Sequence, residues 1–204
     1  MVVRRFQDSL NAEIFLTGSS AKLLSKEIAS SLRGRSLSSE IWPYSFYEFL
    51  KAKNIKFVLK PFGAKTKNIL FKLFSQYLSE GGFPELTNYE QIERQQTLQE
   101  YIDVVIYRDI IERHNIKNTI LIKYMLMSLI HNVGKPFAVN KFYNDIKSQG
   151  YKINKDTLYD YISYIEDAYV AFCVPLGDSS IRKVNTNPKK IYCIDTGLVR
   201  AVTL

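Results

Sequence analysis

Residues 137–170, FAVNKFYNDIKSQGYKINKDTLYDYISYIEDAYV, limit what this chain can fold into more than any other stretch. FAVNKFYNDIKSQG reads as a capped helix that stops at Gly150, and INKDTLYDYISYIEDAYV as a second helix. The short glycine-containing turn between them is the signature of a helix-turn-helix. At about 100° per residue, Leu158, Tyr161, Ile162, Ile165, Ala168 and Tyr169 share one face of the second helix, which must be the core side. Asp156, Asp160, Ser163 and Asp167 then look the other way.

Two β-rich stretches come next, VAFCVPL and KKIYCIDTGL, separated by the polar segment Gly177 to Pro188. Apolar spacing also predicts a helix over 118–131, ending before Gly134-Lys135-Pro136. Helix, helix, helix, then hairpin is the order of a winged helix. Charge bears on what such a domain would meet. The chain carries +8, but residues 1–112 hold 15 Lys and Arg against 13 Asp and Glu, while residues 113–204 hold 13 against 7. That excess favours an anionic partner, nucleic acid first; a solvated lysine-rich surface is the plainer alternative. Acids on the exposed face of the second helix repel phosphate and argue against ordinary major-groove reading. Lys147, Lys152 and Lys155 flank the turn, and Arg182, Lys183, Lys189 and Lys190 occupy the expected wing. These cations suit a duplex backbone held without much regard to sequence, or an acidic protein surface. Tyr143, Tyr151, Tyr159, Tyr161, Tyr164 and Tyr169 crowd the same motif; stacking on bases and a tyrosine-rich core both remain open.

Further upstream, VVRRFQDSL reads as the end of an amphipathic helix, Glu13 to Thr17 as a short buried strand, residues 21–33 as a helix capped by Ser19 or Ser20, and 36–42 as a second strand. SFYEFLK restarts helical structure with Ser45 and Glu48 at capping-box spacing. A helix over 66–80 stops at Gly81-Gly82, GGFPEL is a turn, and 88–113 is a long helix with Leu98, Ile102, Val105 and Ile106 inward and Asp103, Arg108 and Asp109 interspersed. The apolar runs are far short of the ~20 residues of a membrane span. Two cysteines, Cys173 and Cys193, give no disulfide framework and fit a reducing cytoplasm; both read as small apolar residues. His114 and His131 have no third ligand at metal spacing and read as structural, so no metal site is expected.

The run IFLTGSSAKLLSKEIASSLRGR, residues 14–35, ends an apolar strand in hydroxyls and places Arg33 and Arg35 beyond the next helix. Polar side chains at the carboxyl edge of a parallel sheet are where ligands bind in open α/β sheets. On spacing alone, a strand-to-helix turn with serine capping and surface arginines is the better explanation. The run EIFLTGSSAKLLSKEIASSLRGRS, then PYSFYEFL, YLSEGGFPEL, LQEYIDVVIYRDI, KDTLYDYISYIEDAYV and NPKKIYCIDTGL, resembles a family of archaeal and bacterial AAA+ ATPases of the STAND-like or Orc-like kind. The similarity covers nearly the whole chain. It implies that Thr17 and Ser19 correspond to the sensor-1 segment and Arg35 to the arginine of L-x-G-R, with Arg33 on a variable position. Thr17, Ser19 and Arg35 would contact nucleotide in the complete protein. It also implies ATP and Mg as cofactors of that complete protein and self-association through the ATPase core.

The family's phosphate-binding motifs are missing. GKP at 134–136 lacks the hydroxyl of a G-x-x-x-x-G-K-S/T loop, GAKT at 63–66 has the wrong spacing, and IYCID at 191–195 mimics a Walker B strand but has Thr196 where the glutamate should stand. The chain therefore resembles a truncated product that begins after the nucleotide pocket, with no cofactor of its own and no catalysis as it stands. Glu166, Asp167 and Asp195 have no E-x-K partner, so a metal-dependent nuclease is not expected either. The reading is an α+β, predominantly α protein: residues 1–60 a remnant of the α/β ATPase core, 61–115 a helical connector, 116–204 a winged-helix-like domain that docks nucleic-acid backbone or a partner. The alternative is a self-sufficient winged-helix protein-interaction module without any ATPase role.

Overall fold

The computed structural model describes residues 6, 9, 13–18, 37, 39–55, 63–177, 179–180, 183–184 and 187–203. Helix α1, Phe46–Ala52, begins where the Ser45/Glu48 spacing predicts: the Ser45 hydroxyl accepts from the Glu48 amide while the Glu48 carboxylate accepts from the Ser45 amide. That reciprocal capping satisfies two of the donors a helix start leaves open. Helix α2, Ala64–Glu80, ends at Gly81, and GGFPEL closes as a 3₁₀ turn over Pro84–Leu86. Helix α3, Gln91–Val104, continues without a break as a π-helix over Val105–Glu112, with Leu98, Ile102, Ile106 and Ile110 buried along it.

Asp109 departs from the expected alternation. It is only 2% exposed, and its carboxylate pairs with Arg108 Nε at 3.1 Å and Arg113 at 3.7 Å. It lies three residues beyond Ile106 and seven beyond Ile102, which is the spacing of the buried stripe, so position outweighs polarity here and the two arginines offset the burial.

Helix α4, Thr119–His131, is capped by the Asn118 side chain, which accepts from the Leu121 amide. Leu121, Ile122, Met125, Leu126, Leu129 and Ile130 are all buried, so this helix is apolar on most of its circumference. A helix of that kind must sit at the centre. At about 1.5–3 kcal/mol per buried side chain it is a principal contributor to the core. Strand β1, Pro136–Phe137, then helix α5, Val139–Ser148, helix α6, Lys155–Asp167, strand β2, Ala171–Val174, strand β3, Lys189–Cys193, and helix α7, Thr196–Thr203, complete the chain. The sheet has the order β1-β3-β2 with both pairings antiparallel. The β2–β3 hairpin is the one expected; β1 is an addition, too short to carry a periodic signal.

The molecule is α+β and predominantly α. One apolar core runs from Leu86 to Ala201. Helix α4 packs against α6, β2 and β3, and α7 returns to lie on α3, α2 and α4. Asp195 organises that return. Its Oδ1 accepts from the amides of Gly197 at 2.8 Å and Leu198 at 3.3 Å, and its Oδ2 from Gly82 at 2.5 Å. A Cβ on Gly81 would overlap this carboxylate, and one on Gly197 would lie 2.6 Å from the Glu80 carbonyl. The two short motifs GGFPEL and DTGL are therefore halves of one close contact.

Residues 13–18 carry no strand, and Ile14, Phe15 and Leu16 are exposed, Phe15 by 85%. An apolar strand is buried only when neighbours pair with it and helices cover it, and among the described residues none does. The second expected strand fails for the same reason: Leu37, Ser39, Glu40 and Ile41 are exposed coil. Side chains rather than strand pairing fix the position of Trp42. It sets its ring against Tyr169 at 5.4 Å, edge to face, and near Phe172 at 5.8 Å; the Tyr169 hydroxyl donates to Glu40 Oε1 at 2.8 Å. The expected helices at 2–10 and 21–33 lie outside the described residues, apart from Phe6 and Ser9. No helix among the described residues is long and apolar enough to cross a membrane.

Candidate functional site

Helix α5 ends in a glycine stop built by backbone bonds. Gly150 has φ +90°, its amide donates to the Lys147 carbonyl at 3.0 Å, and the Tyr151 amide reaches back to the Ile146 carbonyl at 3.1 Å. This Schellman pattern needs a left-handed residue, which glycine supplies without a Cβ penalty. It turns the chain sharply enough that α6 starts at Lys155 beside the end of α5.

The turn encloses an open cleft of about 720 Å³ lined by Tyr143, Lys147, Tyr151, Lys152, Asn154 and Thr157 among others. Lys147 Nζ lies 5.7 Å from the centre of the Tyr143 ring and Lys155 Nζ 5.3 Å from the same centre. Lys147, Lys152 and Lys155 are exposed, and among the described residues none of the three pairs with a carboxylate. Each ammonium is attracted by the ring quadrupole, and the two together concentrate positive charge at the turn. An anion at the turn would offset that charge. The sequence marks Tyr143 only as one of six tyrosines crowding the motif: its i, i+4 relation to Lys147 is visible in one dimension, but its contact with Lys155 requires the turn.

The other cations fall elsewhere. Lys189 and Lys190 are successive residues on β3, so they point to opposite sides of the sheet. Lys189 shares the side of buried Ile191 and is half-buried, whereas Lys190 is exposed on the side of Tyr192. A single surface meets one of them, not both. Lys183 lies between the strands and Arg182 outside the described residues. Helix α6 turns Leu158, Tyr161, Ile162, Ile165 and Ala168 inward. Asp156 and Asp160 are exposed opposite, Ser163 and Asp167 half-buried.

Thr17 is exposed in irregular chain, and Ser19, Arg33 and Arg35 lie outside the described residues. The acidic residues have structural duties: Glu166 Oε1 accepts from the Cys173 amide at 2.8 Å, tying α6 to β2, and Asp195 holds α7 to the glycine turn. Burial pushes the Cys173 thiol up to about 12 and the Cys193 thiol to about 11, which leaves neither as a thiolate nucleophile near neutrality. His114 stacks on Tyr164 with ring centres 3.6 Å apart, and His131 Nδ1 lies 2.8 Å from the Met127 carbonyl. Among the described residues no three His, Cys, Asp or Glu gather where a metal could be held.

A small polar cavity of about 240 Å³ between α2, α3 and α7 is lined by Glu80, Arg94 and Arg200. Glu80 and Glu90 stand against Arg94 and Arg200 in its lining, with Lys53 Nζ 3.1 Å and Arg94 3.8 Å from Glu80 Oε2 and Arg94 Nε donating to the Leu86 carbonyl. The turn cleft is the site with charge to spare.

A segment that leads onto a helical globule with a basic cleft is thus the class of chain in hand, and comparison with known proteins places it further. Residues 71–204 match the family described as a domain of unknown function, DUF8612, and the chain belongs to that family. Residues 1–50 match an AAA domain. An uncharacterized protein of Methanocaldococcus jannaschii is 42% identical over 195 residues, 95% of this chain and 43% of that protein. An uncharacterized protein of Haemophilus influenzae is 30% identical over 199 residues, 98% of this chain and 48% of that protein. The chain spans somewhat under half the length of these curated relatives. No solved structure matches it.

Proposed function

We propose that this chain is part of a AAA+ ATPase of the STAND-like or Orc-like kind, and that its winged helix docks the backbone of duplex nucleic acid. The order α4-β1-α5-α6-β2-β3 with sheet order β1-β3-β2 supports the winged-helix reading. The AAA-domain match over residues 1–50 supports the ATPase connection. Catalysis, ATP and Mg are assigned to the longer protein, with Thr17, Ser19 and Arg35 as its contributions from this chain.

The observation that carries the docking role is the gathering of cations at the helix-turn-helix: Lys147 and Lys152 line the cleft, and Lys155 joins Lys147 at the Tyr143 ring on its wall. Three lysines that neutralise three phosphates release the counterions condensed there, which gives a log–log salt slope of about −3 on duplex DNA. Fluorescence anisotropy of a labelled 20-base-pair duplex against salt concentration tests this. Weak, steeply salt-dependent binding that is indifferent to sequence is expected, and a slope near zero overturns it.

A second reading has its own support. Asp156 and Asp160 on the exposed face of α6 disfavour phosphate along that helix and suit a basic protein partner, as in a winged-helix interaction module with no ATPase role. Binding lost on Lys147→Ala but kept on Asp160→Asn separates the cleft from that face.

A further inference from the structure

The contact of Glu40 and Trp42 with Tyr169 and Phe172 joins the stretch matched to the AAA domain to the stretch matched to DUF8612. Tyr169 occupies a position that favours glycine: its φ is +57°, just past the end of α6. Tyrosine is strained there, yet its ring and hydroxyl reach residues far away in sequence. The hydroxyl donates to Glu40 Oε1 at 2.8 Å, and the ring meets Trp42 at 5.4 Å and Phe172 at 6.2 Å. Burial, followed by the bond to Glu40, pushes the Tyr169 phenol up to about 12, so the donor is protonated at any physiological pH. Trp42 remains 48% exposed, so the contact is peripheral and separates without opening the core.

We infer that the Tyr169–Phe172 corner is the docking site of the AAA-matched region on the DUF8612-matched region, anchored by Glu40 and Trp42, and that α6 transmits between this site and the cleft. The helix has 13 residues and is therefore about 20 Å long. In its first turn Thr157 lines the cleft and Lys155 sets its ammonium 5.3 Å from the centre of the cleft's Tyr143 ring; Tyr169, just past its far end, belongs to the docking site. A rigid element that ends in both sites moves both together. Linkage then requires that whatever the filled cleft does to docking, docking does equally to affinity in the cleft. The transmission rests on the nucleic-acid reading proposed above; the docking does not.

Trp42 is the chain's single tryptophan, so its fluorescence reports the contact alone. The test is acrylamide quenching of Trp42 in the full chain. Tyr169→Gly suits the backbone while removing the ring and hydroxyl, and the quenching constant is expected to rise about twofold with unchanged helical circular dichroism. An unchanged constant in the folded variant overturns the docking site. If Tyr169→Gly loses helicity, Tyr169→Phe decides in its place: it keeps the ring and lacks only the bond to Glu40, a smaller rise supports docking, and no rise overturns it. Saturation of the wild-type chain with a 20-base-pair duplex is expected to change Trp42 quenching, and Tyr169→Phe to alter duplex affinity about threefold. Duplex binding with unaltered Trp42 quenching overturns transmission while the cleft reading stands. Absence of duplex binding at low salt overturns the cleft reading and transmission together, and docking is then judged on the quenching of the Tyr169 variants.

Discussion

The Asp195 carboxylate accepts a hydrogen bond from the Gly82 amide at 2.5 Å, although 113 residues separate them. The same carboxylate caps the first turn of α7, and Gly82 passes the connection on: its carbonyl accepts from the Tyr44 amide at 2.7 Å. The carbonyl of Tyr44 accepts in turn from the Tyr77 hydroxyl at 2.7 Å. One buried acid therefore fastens the entry to α1, the end of α2 and the start of α7.

Asp195→Ala leaves three buried amides without acceptors and α7 without its cap, so a loss of about 3 kcal/mol is expected. Asp195→Asn keeps an acceptor oxygen and should fall between. Urea denaturation midpoints in the order wild type, Asn, Ala check this; an Ala variant as stable as the wild type would contradict it.

Glycine substitutions should separate two effects. Gly150 has φ +90° with open space around it, so Gly150→Ala should cost only the left-handed penalty, about 1–2 kcal/mol. Gly81 has φ +82° and also faces the Asp195 carboxylate, so Gly81→Ala should add an overlap of about 1–3 kcal/mol. Thermal unfolding of the two variants measures the difference, and equal losses would show that the glycine turn has room to spare.

Stability should depend on pH through His114. Burial of the ring, and then the neighbouring Arg113, holds it below its ordinary value, with Asp167 pulling the other way. The unfolded chain thus binds the proton more readily than the folded one. The contribution to stability is complete above the ordinary value of about 6.5 and is lost as pH falls through the lower folded value. His114→Phe keeps a ring against Tyr164 and removes the titration. Denaturation midpoints from pH 7.5 downwards should decline less steeply in this variant than in the wild type.

Duplex binding should distinguish the cations by position. Lys147→Ala is expected to flatten the salt slope by about 1, uniformly across sequences. The Lys189/Lys190 double change should flatten it by about 1 at most rather than 2, because the strand sends the two side chains to opposite sides. Asp160→Asn should strengthen binding slightly by removing a like charge. If Asp160→Asn abolished binding instead, the acidic face of α6 would be the contact surface.

Elements whose cause lies within a few residues could be read from the sequence alone. The Ser45–Glu48 box starts α1, Gly150 ends α5, Gly81 ends α2, and the three-to-four spacing of Leu158, Tyr161, Ile162 and Ile165 sets the inner face of α6. Each depends on neighbours one turn apart, which the chain carries in its own order. Tertiary structure alone decided the relationships between distant positions. β1 exists because Pro136 and Phe137 find Lys190 and Lys189 as partners, and Ile14 to Leu16 form no strand because, among the described residues, none pairs with them. The cleft likewise depends on a fold: Lys147 and Lys155 meet at Tyr143 only because the Gly150 turn brings the end of α5 beside the start of α6. Tyr169 shows the limit most directly. Local rules put glycine at its backbone angle, and what a tyrosine does there is set by Glu40 and Trp42, more than 120 residues earlier, through a hydrogen bond and a ring contact that no periodicity encodes.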